Sequence, residues 1–138
     1  MSVYMVVDAS VAVKWFKPEG EQHLAEALAL LESHRDQSIV LAAPVHLRLE
    51  VLNALWSHGL DAQRLTAIAR NLEDFDLTWF DIDATLAAHA CELAVEHRLT
   101  LYDAAYAALA LHLDAELVTE DVAILASGAC GARSLASD

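Results

Sequence analysis

Short apolar runs alternate along the chain with longer segments of helical periodicity. The first run, residues 3–7, is rich in valine and carries no polar side chain until Asp8, which is typical of a strand buried on both faces. Three further runs predict strands, and a last segment is a candidate edge strand. In chain order these are residues 40–42, 77–80, 116–118 and 133–135.

Helical spacing of apolar side chains fills the intervals between these runs. Leu24, Leu28 and Leu31 recur at that spacing and predict an amphipathic helix over residues 21–34. Pro44 is suited to the first turn of a helix, because it lacks a backbone N–H that the turn would leave unpaired. The other helices are predicted over residues 10–16, 44–59, 61–75, 83–97, 100–113 and 122–126.

Two of these helices have distinctive faces. The helix after Pro44 carries an apolar stripe and a separate polar stripe, formed respectively by Val45, Leu49, Leu52 and Trp56 and by His46, Glu50, Asn53 and Ser57. The helix after Thr100 is almost entirely alanine, leucine and tyrosine, so we expect it to lie at the centre of the fold. Thr100 and Asp103 have the spacing of a capping box, with Asp in place of the usual Glu.

The alternation of strands and helices predicts an α/β protein with a mostly parallel sheet covered on both faces. The chain has 138 residues and no linker or repeat divides it, so we expect a single domain over residues 1–138. In a parallel sheet the carboxyl ends of the strands form one edge, and ligands bind there. Asp8 and Asp121 are expected at this edge.

Composition narrows the class of protein. The net charge is −13, from 21 acidic and 8 basic residues, which argues against a broad cationic face for nucleic acid and suits a metal site or a basic protein partner. No apolar stretch approaches the ~20 residues of a membrane span, and no signal peptide is apparent, so we expect a cytoplasmic location. Cys91 and Cys130 form no metal-binding or disulfide pattern, and Cys91 is expected in the core.

Four carboxylates stand out, namely Asp8, Glu50, Asp103 and Asp121. Each also has a structural explanation, as a helix cap, a capping-box partner or a solvated helix residue. Three of them nevertheless fall at strand ends or a helix start on the same predicted edge, and Glu50 lies on a polar helix face. Crowded carboxylates repel one another unless a cation neutralises them. Mg²⁺ or Mn²⁺ would do so, and such a site can activate water to hydrolyse a phosphodiester.

Four motifs, taken in order, resemble those of PIN-domain ribonucleases of the VapC toxin type. They span residues 6–16, residues 43–44 with Glu50 and residues 53–56, residues 99–106, and residues 117–121. The resemblance implies a three-layer α/β/α sandwich and an endoribonuclease dependent on Mg²⁺ or Mn²⁺, acting on an RNA substrate. It also implies neutralisation by a cognate antitoxin and formation of a homodimer.

The same resemblance implies roles for individual residues. Asp8, Glu50, Asp103 and Asp121 match the catalytic acidic quartet, and Asp8, Asp103 and Asp121 are the expected metal ligands. Thr119 matches a hydroxyl that supports the metal site, and Ser10 is a second such position. These six residues make up the predicted site.

One other interpretation remains at this stage, and a second is set aside. The acidic surface and apolar excess also suit a catalytically weak or inactive PIN-fold module that binds protein. A phosphate-accepting receiver domain would need a lysine late in the chain, and none follows Lys17. The seven histidines show no metal-ligand spacing, although His46 lies one turn before Glu50. Trp15, Trp56 and Trp79 are expected in the core or at an interface.

Overall fold

The structure is a computed structural model that describes residues 3–17 and 20–136. Its centre is a five-stranded, all-parallel sheet in the order β3-β2-β1-β4-β5. The strands are β1 Tyr4–Val7, β2 Val40–Pro44, β3 Thr78–Phe80, β4 Glu116–Val118 and β5 Ala132–Arg133. The helices are α1 Ala9–Ala12, α2 Leu24–Arg35, α3 Leu47–Ser57, α4 Ala62–Asp74, α5 Ala84–His97, α6 Leu101–His112 and α7 Val122–Ser127, and a 3₁₀ turn, Val13–Trp15, follows α1.

Strand β1 is the middle strand of the sheet. It pairs with β2 on one side, Met5 lying opposite Leu41, and with β4 on the other, Val7 lying opposite Val118. Val6 and Val7 point to opposite faces of the sheet and both have no solvent exposure, so helices cover both faces. The prediction of an α/β sandwich with a parallel sheet is therefore confirmed.

Helix α6 lies at the centre of the packing, as its composition predicts. It contacts β1, β2 and β4 and packs along α5. Every residue from Ala104 to Ala110 is buried. The many alanines let the helix backbone approach the sheet closely, and they place Tyr106, the largest side chain of this stretch, in the core.

Two predicted helices begin or end differently in the structure. The segment predicted as one helix over residues 10–16 is one turn of α-helix, begun by Asp8 as its cap, followed by the 3₁₀ turn. Helix α2 begins only at Leu24, because His23 has a left-handed backbone with φ of 57°. Its buried face includes Ala27 and Leu30, whereas Leu28 is 46% exposed, so the predicted stripe was partly wrong.

Helix α3 turns a different face to the core from the one its apolar stripe predicts. Leu47, Val51 and Leu55 are fully buried, whereas Leu49 is 71% exposed and Trp56 is 64% exposed. The helix is apolar on two faces, so periodicity alone does not decide which one packs against the sheet. Pro44 ends strand β2 instead of starting the helix.

Smaller differences concern the last strand and one cysteine. Strand β5 is shorter than predicted and begins one residue earlier, at Ala132. Cys91 is exposed on α5, so its expected place in the core was wrong.

Within residues 3–17 and 20–136, none of the helices has the length and apolar character that crossing a bilayer requires.

Candidate functional site

Two of the predicted site residues end neighbouring parallel strands. Asp8 follows β1 and caps α1, and its Oδ1 accepts hydrogen bonds from the Ser10 backbone N–H at 3.1 Å and from Ser10 Oγ at 2.6 Å. Asp121 comes three residues after β4 and caps α7, where its Oδ1 accepts a hydrogen bond from Ile124 N–H at 3.1 Å. Since β1 and β4 are adjacent and parallel, both carboxylates lie at the carboxyl edge of the sheet.

Two hydroxyls join these strand ends. Thr119 is fully buried, and its Oγ1 donates a short hydrogen bond to Asp8 Oδ2 and accepts one from Asp121 N–H at 2.9 Å. Ser10 Oγ accepts a hydrogen bond from Glu120 N–H at 2.8 Å and lies 3.4 Å from Thr119 Oγ1. The two hydroxyls thus fix the orientation of Asp8 relative to the chain that carries Asp121.

Asp103 enters the site from the first turn of α6. Thr100 caps this helix, accepting a hydrogen bond from Asp103 N–H on its Oγ1 at 3.1 Å. The predicted cap is therefore present. It fixes the backbone from which the half-buried Asp103 carboxylate projects.

Glu50 lies in the first turn of α3, and two aromatic side chains approach its carboxylate. Tyr106 donates a hydrogen bond from its hydroxyl to Glu50 Oε1 at 2.6 Å, and His46 Nε2 lies 3.4 Å from the same oxygen. Sequence reasoning assigned Tyr106 only to an apolar central helix and missed this contact. The available signal was a phenol three residues after Asp103, a spacing that places both residues on one helix face.

The electrostatics connect the four carboxylates. Burial raises the pKa of Asp8 to about 6, hydrogen bonds from Ser10 and Thr119 oppose this rise, and the charge of Asp121 adds to it. Burial also raises the pKa of Asp103, with further increases from Asp121 and Glu50. Asp121 therefore repels both Asp8 and Asp103, and Glu50 repels Asp103, so the structure brings the four predicted carboxylates into one electrostatically coupled group.

The carboxylates and hydroxyls of the predicted site offer oxygen donors to a metal ion. In the part of the chain that the structure describes, no three His, Cys, Asp or Glu side chains are already arranged as ligands of one ion. Mg²⁺ and Mn²⁺ prefer oxygen donors, and Mg²⁺ sites commonly use only one or two carboxylates together with several waters. Repulsion among the carboxylates would be relieved by a divalent cation. The chemistry of this group therefore fits such an ion held partly through water.

Three charged residues close in sequence to the site residues make hydrogen bonds or ion pairs with other parts of the chain. Glu120 Oε1 accepts a hydrogen bond from Leu135 N–H at 2.7 Å, which ties this carboxylate to the segment after β5. Lys14 is buried, with its Nζ 3.9 Å from a Glu21 carboxylate oxygen. Arg48 pairs with Glu73 and lies 3.8 Å over the ring of Trp79.

Comparison with known proteins agrees with this geometry. The family model of the PIN domain matches residues 5–126. Ribonuclease VapC3 of Pyrobaculum aerophilum is 33% identical over 122 residues, which cover 85% of this chain and 88% of that protein.

Solved structures show the same fold. A crystal structure of a Pyrobaculum aerophilum protein superposes with a TM-score of 0.66 at 29% identity and covers 98% of this chain and 92% of its own. VapC20 of Mycobacterium tuberculosis, a toxin that cleaves the sarcin-ricin loop, gives a TM-score of 0.72 at 20% identity, covering 94% and 98% of the two chains. The chain belongs to the PIN domain family, and its resemblance to the VapC type is confirmed.

Proposed function

We propose that this protein is a metal-dependent endoribonuclease and the toxin of a two-protein toxin–antitoxin module. The observation that carries the proposal is the coupled group of Asp8, Glu50, Asp103 and Asp121 at one edge of a PIN-domain sheet. The 33% identity to a VapC ribonuclease supports the same activity. Hydrolysis at such a site needs no serine, cysteine or lysine nucleophile.

The proposal assigns a role to each residue of the site. Asp8, Asp103 and Asp121 would hold Mg²⁺ or Mn²⁺, which when bound lowers the pKa of a coordinated water and offsets charge on the phosphate. Ser10 and Thr119 hold the Asp8 carboxylate in one orientation through their hydroxyls. Glu50, which Tyr106 holds through a hydrogen bond, would accept a proton from the attacking water.

The test compares RNA cleavage with and without metal. Purified protein should cut RNA with Mg²⁺ or Mn²⁺ present and should stop cutting in EDTA. Asp8→Asn and Asp121→Asn should each lose cleavage while remaining folded by circular dichroism. The exposed Asp74 on α4 provides the matched control, because Asp74→Asn removes an equal charge outside the site. Cleavage by Asp8→Asn at the wild-type rate would refute the assignment.

The partners follow from the same proposal. Solved complexes of related fold include a toxin–antitoxin complex from Klebsiella pneumoniae and a DNA-bound VapBC complex from Salmonella typhimurium. We propose that this chain has a cognate antitoxin with a basic segment, which the net charge of −13 would attract. Its RNA substrate and antitoxin would be met in the cytoplasm. Copurification of the neighbouring gene product with a tagged chain tests the antitoxin.

We also propose that two copies of the chain form a homodimer. The exposed face of α3 carries Leu49 and Trp56, large apolar side chains that solvent does not favour. A second copy would cover both. Light scattering of the purified protein gives the oligomeric state directly.

A binding module without catalysis is the second candidate. It is favoured by the acidic composition and by exposed apolar side chains such as Leu49 and Trp56, which a protein partner would cover. Calorimetric titration with Mn²⁺ separates the two candidates. A saturable site that Asp8→Asn removes supports the enzyme, whereas no saturable site at millimolar metal supports the binding module.

A further inference from the structure

A cavity adjoins the acidic group at the same edge of the sheet. Its volume is about 540 Å³. Val45, just after β2, and Ile82, two residues after β3, form part of its wall, and Ala105 of α6 forms another part. The side chains that line it are mostly apolar, and none of them is a lysine or arginine.

The cavity and the acidic group share a wall. His46 lines the cavity while its Nε2 lies 3.4 Å from Glu50 Oε1. Tyr102 also lines the cavity and directly precedes Asp103 in the first turn of α6. If an RNA chain binds with one phosphate at the carboxylates, its adjacent nucleotide therefore lies within reach of this cavity.

One aromatic ring of this wall, that of Tyr102, is exposed and available for stacking. The His46 and Tyr102 rings lie 5.5 Å apart, and Tyr102 is 63% exposed. His46 packs against the Tyr102 and Tyr106 rings, and it also has a hydrogen bond with the Tyr102 backbone. Its Nε2 is buried and has no hydrogen-bond partner within the described part of the chain. An exposed tyrosine beside a polar site offers a flat surface that a base can cover.

We infer that this cavity is a subsite for one unstacked nucleobase next to the scissile phosphate. The inference rests on the proposed nuclease function and names the part of the substrate that the cavity takes. Without a cation in its lining, the cavity suits an uncharged base better than a phosphate. Asp81 on its lining can accept a hydrogen bond from an amino or ring N–H group of the base.

Binding to uncut RNA tests the subsite independently of cleavage. The probes are short single-stranded oligonucleotides, methylated on every ribose, each with one abasic nucleotide at a different position. Binding is measured in EDTA, so that metal-dependent hydrolysis does not cut them. Removing the base that occupies the cavity should weaken binding to the wild-type protein by roughly 10-fold to 100-fold, the usual contribution of one stacked base. Tyr102→Ala should lose about as much affinity for the intact oligonucleotide and should become insensitive to that abasic position.

Two further variants are the controls. Tyr102→Phe keeps the ring and should bind as the wild type does, and Val95→Ala removes exposed apolar atoms on α5 and should do the same. Affinity that Tyr102→Ala leaves unchanged overturns the subsite, as does an absence of RNA binding by the wild type. Conversion of a dimer to monomers by Tyr102→Ala would also overturn it, because a second copy would then cover the cavity.

Failure of the subsite can be distinguished from failure of the nuclease proposal. If the wild type binds the methylated RNA through Tyr102 but cuts no unmethylated RNA with Mn²⁺, the subsite stands and catalysis fails. If it cuts RNA but Tyr102→Ala binds and cuts at wild-type levels, catalysis stands and the subsite fails.

Discussion

Tyr106 donates a hydrogen bond to Glu50 over 2.6 Å, joining the buried centre of α6 to the first turn of α3 across 56 positions of sequence. The hydroxyl is buried with the ring, and its pKa is raised first by burial and then by the bond to the Glu50 carboxylate, so the phenol remains a donor. A carboxylate that would accept a proton from water is thereby held in one place by the core of the protein.

Tyr106→Phe should lower both stability and catalysis. Loss of a hydrogen bond to a charged acceptor costs about 1.5–3 kcal/mol in the free energy of unfolding. We expect urea denaturation to show a loss of this size and RNA cleavage to slow through kcat more than through KM. Tyr4→Phe removes a hydroxyl outside the site and should leave cleavage unchanged. An unaltered kcat in Tyr106→Phe would mean that Glu50 needs no such support.

In the metal-free protein, Asp8 should contribute more to the free energy of unfolding at acid pH than at neutral pH. Its pKa in the folded state is about 6, above its ordinary value of 3.8, so the folded state binds a proton more readily than the unfolded state. The stabilising effect of that proton is fully present below the pKa of Asp8 in the unfolded state. It is lost as the pH rises through the folded-state pKa of about 6. The shift corresponds to about 3 kcal/mol.

Wild type and Asp8→Asn should therefore differ in their pH dependence. In EDTA, the free energy of unfolding of the wild type relative to the variant should fall as pH rises from about 4 to about 7. Chemical denaturation across this range measures the difference. A constant difference would show that Asp8 has the same pKa in both states.

The two cysteines should react at very different rates with an alkylating reagent. Cys91 is exposed on α5, whereas burial raises the pKa of Cys130 to about 11 and so lowers its thiolate content. Iodoacetamide at neutral pH should modify Cys91 first and Cys130 only after denaturant is added. Mass spectrometry of peptides follows both sites, and Cys91→Ser isolates the slower one. Equal rates in the folded protein would contradict the burial of Cys130.

Thr100→Ala should weaken the start of α6. It removes the hydroxyl that accepts a hydrogen bond from Asp103 N–H, and losing such a cap costs about 1 kcal/mol of unfolding free energy. Thr66→Ala is the matched control, because Thr66 lies inside α4 and bonds only to the Ala62 carbonyl of its own helix. Urea midpoints should fall for the first variant and stay close to wild type for the second. Equal midpoints would mean that the cap contributes nothing.

Trp56→Glu should separate the two copies of the proposed dimer. Trp56 is 64% exposed, so the substitution leaves the core of the single chain intact, while a carboxylate at a dimer contact would lose its hydration. Light scattering should give the mass of one chain for the variant and of two for the wild type. Val95→Glu, at an exposed position on α5, controls for added charge. A dimer that survives Trp56→Glu would place the contact elsewhere.

The sequence pattern predicted the sheet better than the helix faces. Buried parallel strands are continuous apolar runs, and Val6 and Val7 could be assigned because no polar residue interrupts them. The buried face of α3 could not be assigned from the sequence, because both faces carry apolar side chains. Leu49 is exposed and Val51 is buried, and only packing against the rest of the fold distinguishes them. Tertiary contacts decide such a choice.

The same distinction applies to the site. Asp8 and Asp121 could be located because both follow strands, and strand ends of a parallel sheet share an edge. The bond from Tyr106 to Glu50 could not, because it depends on how two helices 56 residues apart in sequence pack. The local pattern of α6 indicated only a buried aromatic ring.

The position of β1 between β2 and β4 has a consequence for the protein during its synthesis. Strand β1 is the first of the five strands in chain order and the middle one of the sheet, and Val118, its partner across Val7, is translated only after β2 and β3. Asp8 and Asp121 therefore cannot meet in a nascent chain cut short before β4. A chain that stops before β4 would therefore lack the grouping of carboxylates on which the proposed cleavage depends.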